Sequence, residues 1–552
     1  MKSIRYTRDM IDEYLSKGYW TTEILADFWD RNAREHPDKE ALVDCKTRLT
    51  WSQAKEQIDR LALGLLELGI GRDEVLVCQL PNWVEAVTLR VACEKAGILF
   101  VPTMPSARHD EIKRIFDTTE AVGIAIPREF DGFDHFRFIE DLLPDLPTLR
   151  HIFVAGNNVP QGALSLEEMA RQAIETKYPS DYLQKTAFSS SEVSSIGITS
   201  GVTGLPKFIE WSTAPLILGA RTTAERYKMT GDDIVIALSP ISWGSVVLVG
   251  FVAAPTVAAK TVLLEKFDPE ESLKFIKEEK GTIAAGSPAQ LTMMVRDPNF
   301  HKYETDSLRA FCWTGAPLPY HMAIEAEETM RCTIVGMYGG QDMGVPYLVS
   351  VDDPPEVRHL TVGKPVPGTE TKLVDESGKE VPGGEVGEIL IRGPVCLPGR
   401  YKDPEGTLNV WGAMGKEGWY PTNDLGKFDK AGNLTVVGRK EDVIFRGGQN
   451  IYPLEIENIL LTHPKVLNVA IVGLADPKEG EKVCACIIPK SGQQFTFDDM
   501  ISFLEKRELS PYKLPHRLKI FGSFPMSAGG QKVQKKDLVK DITIKLDEEG
   551  KI

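Results

Sequence analysis

Residues 198–208 read ITSGVTGLPKF, a stretch dense in glycines and hydroxyl side chains, with a lysine near its end. Glycine lets backbone N–H groups approach phosphate oxygens closely, and hydroxyl groups add further hydrogen-bond donors. The apolar pattern of residues 193–198 predicts a strand that leads into this loop. The stretch is therefore a candidate phosphate-binding loop, and a flexible surface turn is the alternative.

The loop differs from two widespread phosphate-binding motifs. Its glycines, Gly201 and Gly204, are three residues apart, so it is not GxGxxG. Lys207 is followed by Phe208, whereas a Walker A loop places a hydroxyl residue there for magnesium. Any nucleotide bound by this loop must be held in another way.

The composition predicts a globular protein of more than one domain. The chain has 552 residues, which is too long for a single hydrophobic core. Its content of 42% hydrophobic and 26% charged residues is that of a globular protein. It has 64 lysines and arginines against 79 aspartates and glutamates, a formal net charge of −15. This charge argues against nucleic acid or an anionic membrane as a partner, so phosphate must be bound locally.

Three features predict a cytoplasmic protein with no integral membrane segment. The N-terminal residues MKSIRYTRDMIDEY carry charges throughout, unlike a signal peptide. Residues 234–259 carry no charge, but Pro240, Gly244 and Pro255 interrupt them, which favours a buried strand and a buried helix over a membrane helix. The eight cysteines mostly lie in apolar patterns, as reduced core residues do.

The chain from about residue 50 to 340 alternates helical patterns with short apolar strands. The capping-box pattern Thr50-Trp-Ser-Gln53 starts a helix that Gly69 closes. The segments VLVCQL, ILFVP, IVIAL, TVLLE, TIAAG, AFCWTG and TIVGMYG are typical of buried strands. The pattern predicts an α/β fold of two mostly parallel sheets covered by helices, with binding loops at the carboxyl ends of the strands.

The pattern changes after about residue 345. Frequent glycine and proline between short β-like segments predict a β-rich, barrel-like subdomain over residues 345–437. The segment GRKEDVIFRGGQN, residues 438–450, is typical of a hinge. We expect a large N-terminal domain over residues 1–437 and a small, mobile α+β domain over residues 438–552.

TSGVTGLPK resembles the phosphate loop, TSGTTGxPK, of the adenylate-forming superfamily, which includes acyl-CoA synthetases. Four later motifs resemble those of the superfamily in the same order: YGGQD at 338–342, GWYPTND at 418–424, GRKEDVI at 438–444 with Gly447 and Gly448, and PMSAGGQK at 525–532. LPNWVE and KVQKKDL are most similar to aryl-acid ligases of the dihydroxybenzoate type.

The resemblance implies a two-step reaction. A carboxylate attacks the α-phosphorus of ATP and pyrophosphate leaves; a thiol, usually that of CoA, then attacks the acyl-adenylate. ATP, Mg²⁺ and CoA are the implied cofactors. Lys532 is implied to bridge the carboxylate and the α-phosphate, since a lysine is a point charge on a long stem. The implied phosphate cradle consists of Thr199, Ser200, Gly201, Thr203, Gly204 and Lys207.

The resemblance also implies the nucleotide contacts. Asp424 is implied to accept hydrogen bonds from the ribose hydroxyls, with Arg439 beside it. Asn423 replaces the glycine of the superfamily, which is tolerable if its backbone is left-handed. Asp342 stands in the place of the magnesium-binding glutamate, and a carboxylate still suits a hard cation. The residues implied to line the adenine are Tyr338, Gly339, Gly315, Ala316 and Pro317.

Glu441 occupies the hinge position of the superfamily. Rotation of the C-terminal domain about it is implied to remove Lys532 after adenylation and to bring in Gly447 and Gly448, which then line a tunnel for the thiol. Glycine suits a tunnel wall because a pantetheine arm must pass close to the backbone.

The segment that contains Ser239, Trp243 and Gly244 is similar to the segment that lines the acyl pocket in the superfamily. Dihydroxybenzoate ligases place an asparagine where this chain has Gly244, and the absence of that polar group argues against a hydroxybenzoate. We expect an aromatic, alicyclic or medium-chain acid. Core packing is the alternative role for Trp243.

The prediction is thus an AMP-forming acid:CoA ligase acting on a small-molecule acid. A stand-alone enzyme that loads a carrier protein is the nearest alternative. Oxidation of the adenylate, as in luciferase, has nothing in its favour. A non-catalytic nucleotide-binding relative is supported only by three departures from the superfamily pattern: Asp342, Asn423, and Gln531 in place of the glycine before the lysine. A homodimer is the assembly we consider.

Overall fold

The computed structural model describes residues 1–199, 206–242, 244, 247–412, 418–476, 479–526 and 533–548. Helices and strands alternate through most of the chain, which confirms the predicted α/β class. The α-helices are Arg8–Ser16, Leu25–Glu35, Trp51–Glu67, Val84–Ala96, His109–Thr119, His135–Leu142, Leu166–Arg171, Tyr182–Thr186, Thr213–Arg226, Ala254–Thr256, Pro269–Glu279, Pro288–Val295, Tyr320–Met330, Pro355–Leu360, Pro404–Trp411, Pro453–Leu460, Phe497–Lys506 and Lys535–Glu548.

A nine-stranded sheet has a parallel centre and antiparallel edges. The parallel part carries the strands that end near the predicted adenine-binding residues. The strands, in spatial order, are Lys364–Pro365, Gly344–Leu348, Thr333–Gly340, Ala310–Trp313, Ile283–Gly286, Ile234–Ala237, Lys260–Leu263, Glu40–Val43 and Arg48–Thr50.

An eight-stranded sheet carries the predicted phosphate loop at one side. It is parallel except where Lys207–Ser212 pairs with its two neighbours. The strands, in spatial order, are Gly399–Arg400, Lys207–Ser212, Val193–Thr199, Leu99–Pro102, Val75–Cys78, Gly123–Pro127, His151–Ala155 and Leu164–Ser165.

Helices packed between these two sheets form the main core. The helix Val84–Ala96 is buried on nearly all sides, including its charged residues Arg90, Glu94 and Lys95. The largest apolar cluster joins side chains of this helix to both large sheets. The predicted capping box is present: Thr50 Oγ1 accepts from the Gln53 N–H, and Gln53 Oε1 accepts from the Thr50 N–H.

Two smaller sheets follow. The predicted β-rich region contains an antiparallel sheet of Glu370–Val374, Gly387–Arg392, Tyr420–Phe428 and Leu434–Arg439. A five-stranded sheet then comprises Gln449–Ile451, Ile444–Arg446, Gly480–Pro489, Val466–Asp476 and Arg517–Ile520. Two apolar clusters lie wholly within residues 444–542, which supports a separate C-terminal domain.

The uncharged stretch at residues 234–259 is not one continuous helix. It contains the strand Ile234–Ala237, a buried π-helix at Val247–Ala253 and the short helix Ala254–Thr256. Within the described part of the chain, no helix has both the length and the apolar character needed to span a bilayer. All eight cysteines are free, and seven of them are buried, as predicted.

Candidate active site

The glycine-rich loop joins two antiparallel strands. Thr199 ends one strand and Lys207 begins the next, and the two residues face each other in register. This connection differs from a Walker A loop, which leads from a strand into a helix. Three sets of predicted residues lie outside the described residues: the loop positions Ser200, Gly201, Thr203 and Gly204, the pocket residue Trp243, and Lys532.

Tyr338, Asp424 and Arg439 form one hydrogen-bonded group. The Tyr338 hydroxyl donates to Asp424 Oδ2 over 2.7 Å, and Arg439 Nε lies 2.9 Å from Asp424 Oδ1. Asp424 and Arg439 are cross-strand partners, so the antiparallel sheet sets their contact. Asn423 has a φ of 59°, which confirms the left-handed backbone expected at that position.

The hydroxyl of Tyr338 is kept protonated by its surroundings. Burial raises the pKa of Tyr338, and the negative charge of Asp424 raises it further. Tyr338 is therefore a permanent donor to Asp424 at neutral pH.

Asp342 lies beside this group and has a partner that the sequence analysis missed. The Tyr420 hydroxyl donates to Asp342 Oδ2 over 2.5 Å, and burial raises the pKa of Tyr420. The neighbouring Gln341 is anchored to the eight-stranded sheet and the acyl segment: its carbonyl accepts from Trp211 Nε1 over 2.9 Å, and its amide donates to the Ser242 carbonyl over 3.0 Å.

The remaining adenine-site candidates follow adjacent parallel strands. Gly315, Ala316 and Pro317 come just after Ala310–Trp313, and Tyr338 and Gly339 lie at the end of Thr333–Gly340. The two strands pair in register from Ala310–Thr333 to Trp313–Gly336. Their carboxyl ends therefore meet at one edge of the sheet, as predicted.

The two described acyl-pocket candidates differ in character. Ser239 is fully buried, and its hydroxyl donates to Gln290 Oε1 over 2.8 Å. This hydroxyl is therefore engaged in a hydrogen bond within the core. A Cβ placed on Gly244, which is half-buried, meets no atom of the described residues within 4 Å. Asn82, another residue missed from the sequence, bonds the Ser239 carbonyl and the Ile241 N–H and shapes this segment.

The predicted hinge is a single 3-10 turn, Lys440–Asp442, between the four-stranded and five-stranded sheets. Ion pairs hold it on both sides. Lys440 Nζ lies 2.7 Å from Glu388 Oε2, and Glu441 Oε2 lies 3.2 Å from Lys536 Nζ on the last helix. Lys532 precedes that helix by three residues.

Gly447 and Gly448 form the two-residue turn between the strands Ile444–Arg446 and Gln449–Ile451. Their φ values are +55° and +83°, and a two-residue hairpin turn with both φ values positive strongly prefers glycine. The turn alone accounts for both glycines, and a role in a thiol tunnel is an additional prediction.

The magnesium implied by the resemblance fits the donors present. Among the described residues no three His, Cys, Asp or Glu side chains are grouped to hold a metal. The single carboxylate of Asp342 suits Mg²⁺ at a nucleotide, because this ion commonly takes one or two carboxylates and completes its shell with phosphate oxygens and water.

Comparison with known proteins agrees with this arrangement. Residues 29–401 match the AMP-binding enzyme family, and residues 455–531 match the AMP-binding enzyme C-terminal domain. The chain is 31% identical to a salicylyl-CoA synthase / salicylate adenylyltransferase of a Streptomyces species, over 97% of this chain and 96% of that protein. It is 29% identical to the medium-chain fatty-acid–CoA ligase of Escherichia coli K12, over 97% and 93% of the two chains.

The fold is also shared with a solved structure. An anthranilate CoA ligase in complex with anthranoyl-AMP superposes with a TM-score of 0.83 at 23% identity, over 94% of this chain and 97% of that one. The matched family covers more than half of the chain, and the chain belongs to the family of AMP-binding enzymes.

Proposed function

We propose that this protein is an AMP-forming acid:CoA ligase. It activates a carboxylic acid as its adenylate, with release of pyrophosphate, and then transfers the acyl group to the thiol of CoA. The observation that carries the proposal is the Tyr338–Asp424–Arg439 group, which places an oriented carboxylate at the strand edge where this fold binds nucleotides.

Asp424 is proposed to bind the ribose of ATP. Its exposure is only 8%, and both oxygens already have a donor, so its orientation is set before the nucleotide arrives. Each carboxylate oxygen accepts more than one hydrogen bond, which leaves capacity for ribose hydroxyls. Arg439 adds a positive charge beside the phosphates.

The phosphates are proposed to lie at the loop between Thr199 and Lys207. Asp342 would hold Mg²⁺, which would supply positive charge against the phosphate oxygens. Tyr420 orients Asp342 through its hydrogen bond. Lys532 is proposed to stabilise the charge that develops between the attacking carboxylate and the α-phosphate.

Rotation of the C-terminal domain, residues 438–552, about Glu441 is proposed to separate the two half-reactions. The ion pairs of Lys440 and Glu441 at the hinge would have to exchange during this rotation. Glu441 and Lys536 are 35% and 71% exposed, so little free energy opposes the exchange of that pair. Glu388 is only 6% exposed, so it needs another donor when Lys440 leaves it.

The acid is proposed to be aromatic, alicyclic or medium-chain. The relatives act on salicylate and medium-chain fatty acids by name, and Gly244 stands where dihydroxybenzoate ligases place a polar asparagine. A ring or chain of this size buries mainly apolar surface against the central core.

The test is acid-dependent pyrophosphate exchange with a panel of aromatic, alicyclic and C6–C12 acids, followed by thioester analysis with CoA alone. Exchange with at least one acid and an acyl-CoA product is the expected result. If exchange occurs but thioester forms only when a carrier protein is added, the acceptor is the carrier protein and not CoA. If no acid supports exchange, the proposal is overturned.

A further inference from the structure

Gln341 is bonded to two separate parts of the candidate active site. Its backbone carbonyl accepts a hydrogen bond from Trp211 Nε1 over 2.9 Å, and its side-chain amide donates to the Ser242 carbonyl over 3.0 Å. These partners are 130 and 99 residues away in the sequence. The residue that follows Gln341 is Asp342, the candidate magnesium ligand. Gln341 therefore connects three segments that meet only when the chain folds.

The bond to Trp211 joins Gln341 to the hairpin that carries the phosphate loop. Trp211 lies on the strand Lys207–Ser212, which begins where the loop ends. Its indole packs against Gly197 on the neighbouring strand, where an added Cβ would lie only 3.0 Å from Trp211 Nε1. Trp211 is 7% exposed, so the ring has little room to move and the bond fixes the hairpin relative to Gln341.

The bond to Ser242 joins Gln341 to the acyl segment, residues 239–244. Asn82 bonds two residues at the start of this segment. Gln341 bonds Ser242, immediately before the last two pocket candidates. Loss of the amide would leave the Ser242 carbonyl without this donor, and the segment would shift to pair it elsewhere.

The first half-reaction needs this kind of connection. The acid and ATP are separate molecules, and the carboxylate must approach the α-phosphorus in line, so their relative position controls the rate. In the proposed function the acyl segment holds the acid and the loop after Thr199 holds the phosphates. Gln341 is bonded to both supports, directly to the acyl segment and through Trp211 to the hairpin of the loop.

We propose that Gln341 is a positioning residue for adenylation, which holds the bound acid at the correct distance from the phosphates and from the carboxylate of Asp342. The inference rests on the proposed function and adds a residue to its mechanism. It also separates the two half-reactions. Once the acyl-adenylate has formed, a covalent bond joins the acid to the phosphate, so Gln341 is needed only in the first half-reaction.

The Gln341→Met variant tests the proposal, because methionine keeps the length of the side chain and cannot donate to Ser242. In pyrophosphate exchange, kcat is expected to fall by about tenfold or more, since a small displacement of one reactant slows the attack. KM for ATP should change by less than about threefold, because the Tyr338–Asp424–Arg439 group is intact. Thioester formation from supplied acyl-adenylate and CoA should stay within about threefold of the wild type.

The Trp211→Phe variant breaks the other bond, because phenylalanine has no N–H group, and it decides the question if Gln341→Met does not fold. It is expected to show the same selective loss of adenylation. The double variant should lose less than the product of the two single losses, because breaking either bond already frees the acid from the phosphates.

The control is Asn32→Leu, which removes a chemically similar bond elsewhere. Asn32 is 3% exposed, and its Nδ2 donates to the Pro255 carbonyl over 2.8 Å, across 223 residues. This variant is expected to lower Tm and to leave the ratio of the two half-reaction rates unchanged.

Equal losses in both half-reactions in the variants of Gln341 and Trp211 would indicate a general structural role and overturn the inference. Wild-type exchange rates in these variants would overturn it as well. Both results leave the ligase activity of the wild type established, whereas no exchange by the wild type with any acid would overturn the proposed function.

Discussion

Tyr338 donates its hydroxyl hydrogen to Asp424 Oδ2 over 2.7 Å, across 86 residues of sequence. The bond joins the strand Thr333–Gly340 of the nine-stranded sheet to the strand Tyr420–Phe428 of the four-stranded sheet. The proposed ribose site is therefore assembled at the junction of two sheets, and its geometry depends on their packing.

Removing this hydroxyl weakens nucleotide binding. Tyr338→Phe is expected to raise KM for ATP by on the order of tenfold, because a hydrogen bond to a charged group is lost and Asp424 is less well oriented. Steady-state kinetics at saturating acid measure the effect. The control is Tyr347→Phe, which removes another hydroxyl, bonded to Thr371 over 2.7 Å; an equal rise in both variants would contradict the assignment.

The carboxylate of Asp342 is expected to control magnesium dependence. Asp342→Asn should raise the free Mg²⁺ concentration for half-maximal pyrophosphate exchange by about tenfold, since an amide is a poorer ligand for a hard cation. Titration of Mg²⁺ at fixed ATP gives the value. Asp375→Asn, in an exposed turn, is the matched control, and an unchanged magnesium requirement in Asp342→Asn would remove Asp342 from the metal site.

Lys532 is expected to act in only one half-reaction. Lys532→Ala should reduce adenylate formation by on the order of a hundredfold or more, because a positive charge is lost where negative charge develops. Thioester formation from a supplied acyl-adenylate and CoA should persist. Lys536→Ala, a neighbouring lysine with a 71% exposed side chain, is the control. Equal adenylation rates in the two variants would argue against the role of Lys532.

The hinge assignment predicts the opposite selectivity. Glu441→Pro restricts the backbone at Lys440 and Glu441, so adenylate formation should remain measurable while thioester formation falls by about tenfold or more. Glu441→Ala breaks the same contact with Lys536 without the backbone restriction and should impair neither step strongly. The two half-reactions are measured separately, and equal losses in both would contradict the hinge.

Glu327 is expected to make stability depend on acid pH. Burial alone would raise its pKa, but the His359 ring 3.2 Å away and the hydrogen bonds from the Ile334 N–H and Arg358 outweigh burial and lower the pKa to about 2. Because the folded pKa is depressed, this stabilisation is present above about pH 4.5 and is lost as the pH falls toward 2.

Glu327→Gln should therefore be less stable than the wild type by about 1–2 kcal/mol at pH 7, with the gap narrowing below about pH 4.5. Tm measured from pH 7 to pH 3.5 tests this expectation. The Glu328→Gln variant controls for loss of one acidic charge on the same helix. A gap that stays constant across this range would show that the ionisation of Glu327 is not its source.

Local signals in the sequence were sufficient for many elements of the fold. The capping box at Thr50 and the strand Thr333–Gly340 each follow from side chains acting on their own backbone or on near neighbours. Short-range rules of this kind need no knowledge of the remaining chain.

Contacts between distant segments could not be predicted in the same way. Tyr420 bonds Asp342 across 78 residues, and Ser239, expected at the acyl pocket, gives its hydroxyl to Gln290 across 51 residues. Gly447 and Gly448 form a hairpin turn that prefers glycine at both positions. In the sequence, two adjacent glycines are equally compatible with a hairpin turn and with a ligand contact.

The order of the motifs and the alternation of strands and helices by themselves determined the family, the α/β class and the positions of the nucleotide-binding candidates, because each depends on residues close together in the chain. Only the tertiary structure showed that Tyr338 bonds Asp424 and that Tyr420 bonds Asp342. Each of these hydrogen bonds joins segments far apart in the sequence, so it forms only when the sheets that carry them pack together.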